Sequence, residues 1–407
     1  MRFRFLSRAK INLFLVSWCL GGGFMFFTGG CAGVKAIPVR LYRVVFETKK
    51  AGLADAQLLD TAGNVVKVFW KGKAVASGAL TLIWDGRDDK GETAAPGAYQ
   101  AVLSIRRWDL LPVGNFGGLG STTGRFLNPQ GLCAYPQGAR LTVAVADTGN
   151  QRIQILTDTG GFLQAAGEFG GGNEKLNQPT DVDWDGQILT VCDSQNHRLA
   201  RFDDQGIYLG EVRQLTGLQT TSARSQAFLG FEEPRSIKKG GGATYWVSDP
   251  GKGTLVLLTG TGGVLQLLGD PFPLGNEGPF FELGGNLFIQ MGLDNLQMLD
   301  ANGNSVKKVK ADPPFEAIAG MTASEDFGVI SDSQQGLLYL IDKDGGVFEA
   351  LTPEGVSKPG ALSLWQDRLF VIDSDQSKLF HYRLAPAPVS SLQQKITVTT
   401  APGLDAQ

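Results

Sequence analysis

Short apolar runs separated by glycine-rich turns fill the chain after residue 36. Leu80–Trp84 leads into Asp85-Gly86, and Pro96-Gly97 leads into Gln100–Ile105, which is the sequence pattern of antiparallel strands joined by tight turns. The 55 glycines among 407 residues are about twice the usual share. They are spread along the chain, as many tight turns require. The pattern predicts an all-β protein.

A motif of the form Asp-x-x-Asn-x-x-aliphatic recurs through the second part of the chain. Its clear copies are Asp147–Ile153 and Asp193–Leu199, and weaker copies begin at Asp249, Asp332 and Asp373. Successive copies start 46, 56, 83 and 41 residues apart. The long step therefore predicts a degenerate copy, which Asn286–Gln290 and Leu296–Asp300 fill. Six repeated units result.

Each copy lies in a unit of constant layout. A proline followed by small or polar residues precedes the motif, as in Pro129-Gln130-Gly131 and Pro179-Thr180-Asp181, and a glycine turn follows it, as in Asp158-Thr159-Gly160. Such a unit holds four strands in about 40–45 residues, the size of one blade of a β-propeller. Because one blade cannot bury both faces of its sheet, the six units are expected to close into a ring.

The repeat resembles the NHL family, closely in the first two units and in outline in the other four. The resemblance implies a six-bladed propeller that binds proteins or other ligands. The last unit ends near Arg383 after three strands, so we expect Leu110–Phe116 to supply the fourth strand and close the ring. We interpret the motif as structural, because Asp accepts hydrogen bonds from turn N–H groups and Asn tolerates left-handed backbone. His197, within the second turn, is expected to be a surface residue.

Residues 37–107 carry a different pattern of strands and turns. The run Trp84–Gly91, followed by Pro96-Gly97-Ala98-Tyr99, resembles the Ig-like domain of flagellar hook-capping proteins. The resemblance implies a small β-sandwich that serves as a spacer or adhesion module. Asp85, Asp88 and Asp89 also permit a Ca²⁺ loop, but no bidentate Glu follows at EF-hand spacing. A solvated turn is therefore the preferred interpretation.

Residues 1–30 have the layout of a secretory signal, with basic residues followed by an apolar stretch from Ile11. Thr28-Gly29-Gly30-Cys31-Ala32 resembles the bacterial lipobox, with Thr28 where the family usually has Leu. The resemblance implies cleavage before Cys31 and lipidation of this cysteine, and Ala32 implies sorting to the outer membrane in a two-membrane organism. The alternative is an uncleaved anchor, since about eighteen residues from Ile11 just span a bilayer.

Charge and residue counts exclude several kinds of site. The net charge is −3, and the basic pairs Lys238-Lys239 and Lys307-Lys308 are expected to be solvated, so nucleic acid is not a predicted partner. His197 and His381 are the two histidines, too few for a His-rich metal or haem site. The cysteines fit no zinc spacing. Cys133 and Cys192 are expected to be buried strand residues, with a disulfide between them as the alternative.

Some six-bladed propellers are enzymes that use a divalent metal in the central channel. The acids expected near the channel here are Asp181, Asp183 and Glu316, whereas Ca²⁺ takes about six to eight oxygens. We therefore predict no catalytic residue, no metal and no cofactor. The predicted function is a membrane-anchored scaffold of the bacterial cell envelope that binds an envelope protein or a glycan. A metal-dependent propeller hydrolase, lactonase or lyase is the alternative.

These observations divide the chain into a signal peptide (1–30), a lipidated linker (31–36), an Ig-like β-sandwich (37–107), a six-bladed β-propeller (108–385) and a polar tail (386–407). Disorder is the preferred interpretation of the tail, although Lys395–Thr400 alternates weakly and is able to pair with an exposed sheet edge. Gln214–Ala227 is expected to be a polar excursion at the propeller face. Candidates for an exposed aromatic patch are Trp184, Tyr208, Phe228, Phe231, Tyr245 and Trp246, most of which are expected in the core.

Overall fold

The computed structural model describes residues 41–216, 230–269, 278–387 and 390–398. The predicted signal peptide and linker, with Cys31, lie outside these residues, as does most of Gln214–Ala227. Regular structure is almost entirely β-strand, and the helices in the described ranges are two short 3-10 turns, Thr148–Asn150 and Ser194–Asn196. Neither is long and apolar enough to cross a membrane.

The Ig-like domain begins with five strands in two sheets. They are β1 (Tyr42–Thr48), β2 (Gly52–Leu59), β3 (Val65–Val75), β4 (Gly78–Trp84) and β5 (Gly97–Arg106). β1 pairs with β4, while β2 pairs with both β3 and β5. Alternate side chains point inward, so Phe46, Leu58 and Trp84 share one buried core between the sheets. The predicted β-sandwich is confirmed.

Six four-stranded antiparallel sheets follow in the described residues. The lead strand is β6 (Trp108–Gly117). The first blade contains β7 (Gly131–Gln137), β8 (Arg140–Asp147), β9 (Arg152–Thr157) and β10 (Phe162–Ala166), and the second contains β11 (Pro179–Trp184), β12 (Leu189–Asp193), β13 (Arg198–Phe202) and β14 (Tyr208–Val212). The third blade contains β15 (Ser236–Lys239), β16 (Thr244–Asp249), β17 (Thr254–Thr259) and β18 (Val264–Gly269). The fourth and fifth blades are β19 (Phe280–Leu283), β20 (Asn286–Gln290), β21 (Leu296–Leu299) and β22 (Ser305–Lys308); and β23 (Ile318–Ala323), β24 (Gly328–Asp332), β25 (Leu337–Ile341) and β26 (Val347–Leu351). The last blade contains β27 (Pro359–Trp365), β28 (Arg368–Asp373) and β29 (Lys378–Pro386).

Strand β6 completes the last blade, whose order is β27-β28-β29-β6. The innermost strands β7, β11, β15, β19, β23 and β27 contact one another in sequence, and β27 contacts β7. The ring is therefore closed by a strand from the opposite end of the propeller sequence, as predicted for Leu110–Phe116. The degenerate copy predicted between Asp249 and Asp332 is the fourth blade.

The propeller core lies between neighbouring blades. Ala144 and Ile155 of the first blade, for example, pack in one buried cluster with Val182 and Val191 of the second. Each sheet thus buries both faces against its two neighbours, which explains why its strands carry long apolar runs. Ring closure supplies the last such interface, where Val143 of the first blade shares a cluster with Phe370 of the sixth.

The C-terminal segment returns to the Ig-like domain. β30 (Ser390–Val398) pairs antiparallel with β5 from Ser390–Ile105 to Val398–Gly97, giving the larger sheet the order β3-β2-β5-β30. Ile396 is buried in the sandwich core. Disorder was therefore the wrong prediction for these residues, and edge pairing, the alternative, describes them. An exposed edge of β5 offers unpaired N–H and C=O groups that such a strand satisfies.

The chain crosses between the domains twice, along adjacent paths. β6 and β29 remain paired as far as Trp108 and Pro386, and the N–H of Ala387 donates to the carbonyl of Arg107 at 2.9 Å. The Arg107 guanidinium forms an ion pair with Glu349 of the fifth blade, whose second carboxylate oxygen accepts the Trp108 N–H at 3.2 Å. Both crossings are therefore fixed to the propeller.

Apolar packing also joins the two domains. Leu53 of the sandwich lies in the same buried cluster as Trp108 and Phe348 of the propeller. The N–H of Ala74 donates to Asp342 across the junction at 2.7 Å, and the Asp342 side chain is buried. The shared cluster and the hydrogen bonds across the junction predict that the two domains keep a fixed orientation, in contrast to a flexible tether.

Candidate functional site

The Asp-x-x-Asn turns of the first two blades are closed networks around a buried carboxylate. Asp147 and Asp193 are fully buried at the ends of β8 and β12. The donors to Asp147 are the N–H of Leu127 at 2.7 Å, Asn150 at 2.9 Å, Arg152 at 2.8 Å and Gln154 at 2.9 Å. Those to Asp193 are the N–H of Asn177 at 2.7 Å, Asn196 at 2.8 Å and Arg198 at 2.6 Å. These carboxylates are engaged within the fold, which supports a structural role.

Three of the remaining blades keep the same carboxylate, but without a cationic partner of the kind that Arg152 and Arg198 supply. Asp249, Asp332 and Asp373 are fully buried and accept hydrogen bonds from backbone N–H groups of the preceding loop, at 2.7 Å from Glu233, 2.7 Å from Glu316 and 2.6 Å from Ser357. In the fourth blade Gln290 takes this place, and its amide donates to the carbonyl of Ile318 at 2.9 Å. In the five blades with a carboxylate, the motif thus fastens the loop before the blade to that blade, whereas Gln290 joins the fourth blade to the start of the fifth.

The left-handed residue of the turn is the one after Asn. Gln151 has φ 58° and His197 has φ 54°. The side chains of Asn150 and Asn196 instead donate to the carbonyls of Gly120 and Gly170, at 2.9 Å each. The expectation that Asn tolerates left-handed backbone was therefore the wrong reason for its presence. Its amide is needed because it joins the turn to the loop.

His197 and the aromatic candidates divide as their surroundings dictate. His197 is exposed, and its Nδ1 contacts the carbonyl of Glu232, in accordance with a surface turn residue. Phe231, Tyr245 and Trp246 are buried. Trp184 is half-buried and stacks on Tyr135 at 4.6 Å between ring centroids, Tyr208 is half-buried, and Phe228 lies outside the described residues. These rings therefore form no exposed aromatic patch within the described residues.

The acidic turn of the sandwich uses its carboxylates as turn acceptors. Asp85 accepts the N–H of Arg87 at 3.1 Å, and Asp88 accepts the N–H groups of Lys90 and Glu92 at 2.9 and 2.8 Å. Asp89 accepts the N–H of Val68 at 3.1 Å. The arrangement is the solvated turn preferred from the sequence.

Charged side chains meet on the innermost strands of the second and third blades. Lys238 Nζ lies 3.2 Å from Asp181 Oδ2, which also accepts the Ser236 hydroxyl at 2.9 Å. Asp183 accepts the N–H of Trp184 at 2.9 Å. Burial acts to lower the pKa of Lys238, but Asp181 and Asp183 outweigh it and raise the pKa from its ordinary value. Burial also raises the pKa of Asp183, although Lys238 opposes this.

The expectation that Lys238 is solvated was wrong. Side chains alternate along β15, so Ser236 and Lys238 reach Asp181 in the channel, while Lys239 is exposed and reaches the carbonyl of Asp185. The pair Lys238-Lys239 therefore places one ammonium group in the channel and the other on the surface. Lys307 and Lys308, on the outer strand β22, are exposed as expected.

A cavity of about 220 Å³ occupies the end of the channel where the innermost strands begin. Its charged lining residues are Asp181, Arg235, Lys238 and Lys358. Arg235 pairs with Glu233 at 2.6 Å, and Lys358 with Asp375 at 3.6 Å. Glu316 is exposed and is not among the lining residues. Within the described ranges no group of three or more His, Cys, Asp or Glu side chains is placed to hold a metal ion.

Cys133 and Cys192 are free thiols buried in β7 and β12. Burial raises the pKa of both thiols well above the ordinary value, which disfavours the nucleophilic thiolate form. Cys192 faces Asp181 across its strand pair as Ala146 faces Gly131 in the first blade. Cys133 and Cys192 are therefore small core residues, and the alternative of a disulfide between them does not describe this structure.

Residues 43–107 match the family model of the FlgD Ig-like domain. No curated protein matches the sequence. Similar solved structures include virginiamycin B lyase from Staphylococcus aureus, with 12% identity, TM-score 0.43 and coverage of 69% of this chain and 89% of that one. A protein of unknown function from Bacteroides thetaiotaomicron has 11% identity, TM-score 0.48 and coverage of 86% and 99%. At this level of similarity no function passes from these proteins to this chain.

The order and pairing of the strands therefore define the architecture. Six sheets of four strands close into a ring, and the Asp-x-x-Asn turns hold successive blades together. The chain combines a domain that matches the FlgD Ig-like family model over residues 43–107 with a six-bladed β-propeller.

Proposed function

We propose that this chain is a membrane-anchored scaffold of the bacterial cell envelope, whose propeller surface binds an envelope protein or a glycan. The observation that carries the proposal is the packed junction, where Leu53, Trp108 and Phe348 share one buried cluster and Asp342 accepts the N–H of Ala74. A propeller fixed in this way presents its faces in constant orientation to the Ig-like domain. Such preorganisation reduces the entropy lost when a partner binds.

The use of the signature residues supports the same proposal. The buried carboxylates of the repeats hold loops in place, and Asp181 and Asp183 are bonded to neighbouring strands. These carboxylates therefore stabilise loops and strands of the propeller. Binding through a rigid surface requires no reactive group, which is the simplest use of such an arrangement.

Anchoring rests on residues 28–32, which resemble a lipobox. A lipidated Cys31 with more than one acyl chain gives stable attachment, since a single chain binds membranes only weakly. Ala32 favours the outer membrane or the cell surface. The mildly acidic chain, with a net charge of −3, is poorly suited to the phosphate backbone of a nucleic acid.

The proposal is tested by cross-linking the tagged protein in living cells of the source organism, with Cys31→Ser as the control. We expect one envelope complex to be recovered with the lipidated chain and lost with the variant, because the variant leaves the membrane. Recovery of the same complex with both chains would contradict the anchoring. Recovery of no complex with either would contradict the scaffold.

An enzyme with a metal in the channel is the second proposal, but the cavity that it would use is lined by Arg235, Lys238 and Lys358 beside the single acid Asp181, a charge balance that disfavours a divalent cation. It requires a stoichiometric divalent ion in the purified protein. Metal analysis by mass spectrometry distinguishes the two proposals: the scaffold predicts substoichiometric metal, and one bound ion per chain, lost with Asp181→Asn, would favour the enzyme.

A further inference from the structure

The mouth of the central channel is a small cavity with basic side chains on opposite walls. Its volume is about 220 Å³, and residues of all six blades line it. Arg235 and Lys238 come from the third blade, and Lys358 comes from the segment that opens the sixth. The innermost strands contact one another in the order of the sequence, so the third and sixth blades lie opposite each other in the ring. A small ligand in this cavity would therefore lie between cations of both walls.

The carboxylate of Asp181, the one acid among the described residues that line the cavity, is already occupied. Its Oδ2 accepts the Ser236 hydroxyl at 2.9 Å, the N–H of Ile237 at 3.1 Å and Lys238 Nζ at 3.2 Å. Its Oδ1 accepts the N–H of Val182 at 3.0 Å. This carboxylate thus joins the second blade to the third, and it takes up one of the three donors of the Lys238 ammonium. Three cations against one acid leave the lining with a net charge of +2.

The guanidinium of Arg235 has more donors than the protein provides acceptors. Its Nη2 donates to Glu233 Oε1 at 2.6 Å, whereas its Nε is buried and has no hydrogen-bond partner among the described residues. A guanidinium carries five N–H donors in a planar fork that matches the oxygens of a carboxylate or a phosphate. A buried donor without an acceptor is costly. An oxyanion in the cavity would supply acceptors that the fold leaves out.

On the opposite wall, Lys358 is held only weakly by its acidic neighbour. Its Nζ lies 3.6 Å from Asp375 Oδ1, which is beyond hydrogen-bond distance, and the two side chains are 49% and 62% exposed. Exposed ion pairs of this kind contribute little free energy. The Lys358 ammonium can therefore turn to a ligand in the cavity at little cost.

Uncharged groups complete the lining. The side chains of Asn128, Gln130 and Ser374 form no hydrogen bond with the described residues, and Met321 and Leu362 are buried apolar residues. A few polar groups beside apolar ones are typical of sites for small organic ligands. The cavity is smaller than the roughly 300–1,000 Å³ of sites for drug-sized ligands. Its occupant is therefore one small molecule, or the end group of a longer one.

We propose that this cavity binds a small organic anion, whose carboxylate or phosphate group lies between Arg235 and Lys358. Amides and hydroxyls in the lining suit an anion that also carries hydroxyl groups, such as a sugar acid or a sugar phosphate. The inference goes beyond the proposed scaffold, because the site requires neither the anchor nor a protein partner. A free small molecule and the acidic end group of a glycan present the same oxyanion, and the experiment distinguishes these two sources.

The experiment is calorimetric titration of the purified full chain with glucuronate and with glucose 6-phosphate, in the presence of EDTA. Glucose is the neutral control. We expect the two anions to bind and glucose not to bind. Lys358→Gln and Arg235→Gln should each weaken binding about tenfold or more, as the loss of a charge-assisted hydrogen bond requires. The matched control is Lys308→Gln, which removes an exposed lysine of the outer strand β22 and should leave the affinity unchanged.

Folding is checked by the melting temperature, which Lys358→Gln should leave unchanged because this side chain is half-exposed. Four results would overturn the proposed site: no binding of either anion in EDTA, binding of glucose with equal affinity, an equal loss of affinity in Lys308→Gln, or an affinity unchanged in Lys358→Gln.

A disaccharide with a terminal glucuronate identifies the source of the ligand. Binding at least as tight as that of glucuronate would support the site and assign it to the end of a glycan. Weaker binding of the disaccharide would support the site and assign it to a free small molecule.

Discussion

Replacement of Asp193 by Ala is expected to destabilise the propeller more than the same change at Asp332. Both carboxylates are fully buried at the same position of their blades. Asp193 is paired with Arg198, which is also fully buried, at 2.6 Å. In the fifth blade, the position of Arg198 is occupied by Leu337, so Asp332 binds N–H groups of the backbone, including that of Glu316 at 2.7 Å. The two variants therefore separate the loss of hydrogen bonds from the loss of a buried ion pair.

The Asp332→Ala variant leaves buried N–H groups without acceptors, which costs about 1–3 kcal/mol. The Asp193→Ala variant also deprives a buried guanidinium of its carboxylate, for which about 3–5 kcal/mol is typical. Arg198 retains Glu211 as a partner in this variant. We therefore expect Asp193→Ala to lower the free energy of unfolding by about 3 kcal/mol, near the lower end of that range. Addition of Arg198→Met to Asp193→Ala should recover part of the loss, because the uncompensated charge is removed.

The assay is urea unfolding of the purified chain, with the free energy of unfolding compared at unchanged slope. Two results would refute the reasoning. One is a cost for Asp193→Ala no greater than that for Asp332→Ala. The other is a double variant less stable than Asp193→Ala alone, which would show that Arg198 stabilises the loop without needing the carboxylate.

Three further changes test other parts of the structure. Ile396→Ala should lower the free energy of unfolding by about 2 kcal/mol or more. It should also increase hydrogen exchange in β5 while β16 stays protected, and an equal increase in both strands would contradict local pairing of β30. Glu349→Ala should leave both domains folded but speed proteolysis at the junction, because it removes the partners of Arg107 and the Trp108 N–H; unchanged proteolysis would contradict the packed junction. Burial and the nearby Arg368 lower the pKa of His381 from 6.5, so the unfolded chain takes up a proton first as the pH falls. Stability should thus decrease from pH ~7.5 to about 5.5 in the parent and decrease less in His381→Gln, measured by urea unfolding; equal slopes with pH would contradict this.

The blade count was predictable because each blade repeats the same local requirement. A buried carboxylate must meet the N–H groups of the loop before it, so Asp147 and Asp193 recur at blade spacing even where their neighbours change. Closure by β6 followed from a last blade that lacked one strand. The fourth blade was harder to recognise, because Gln290 replaces the carboxylate and its amide donates to Ile318 of the next blade instead of accepting N–H groups of the preceding loop.

Other features depend on contacts that no local pattern contains. Strand β30 pairs with β5 although the whole propeller sequence lies between them, so that Gln393 contacts Gln100, 293 residues earlier. Its weak alternation gave little sign of a partner at this distance. Lys238 resembles a surface lysine until the register of β15 places it beside Asp181.

Native mass spectrometry of the detergent-solubilised chain, isolated from its own membranes, distinguishes an anchored scaffold from a metal-dependent enzyme. It reports the lipid at Cys31, any bound metal and any bound protein in one spectrum. We expect a chain that begins at an acylated Cys31 and carries a protein partner at fixed stoichiometry without a metal ion. A chain without lipid and without partner, with one divalent ion bound, would contradict the scaffold and favour the enzyme.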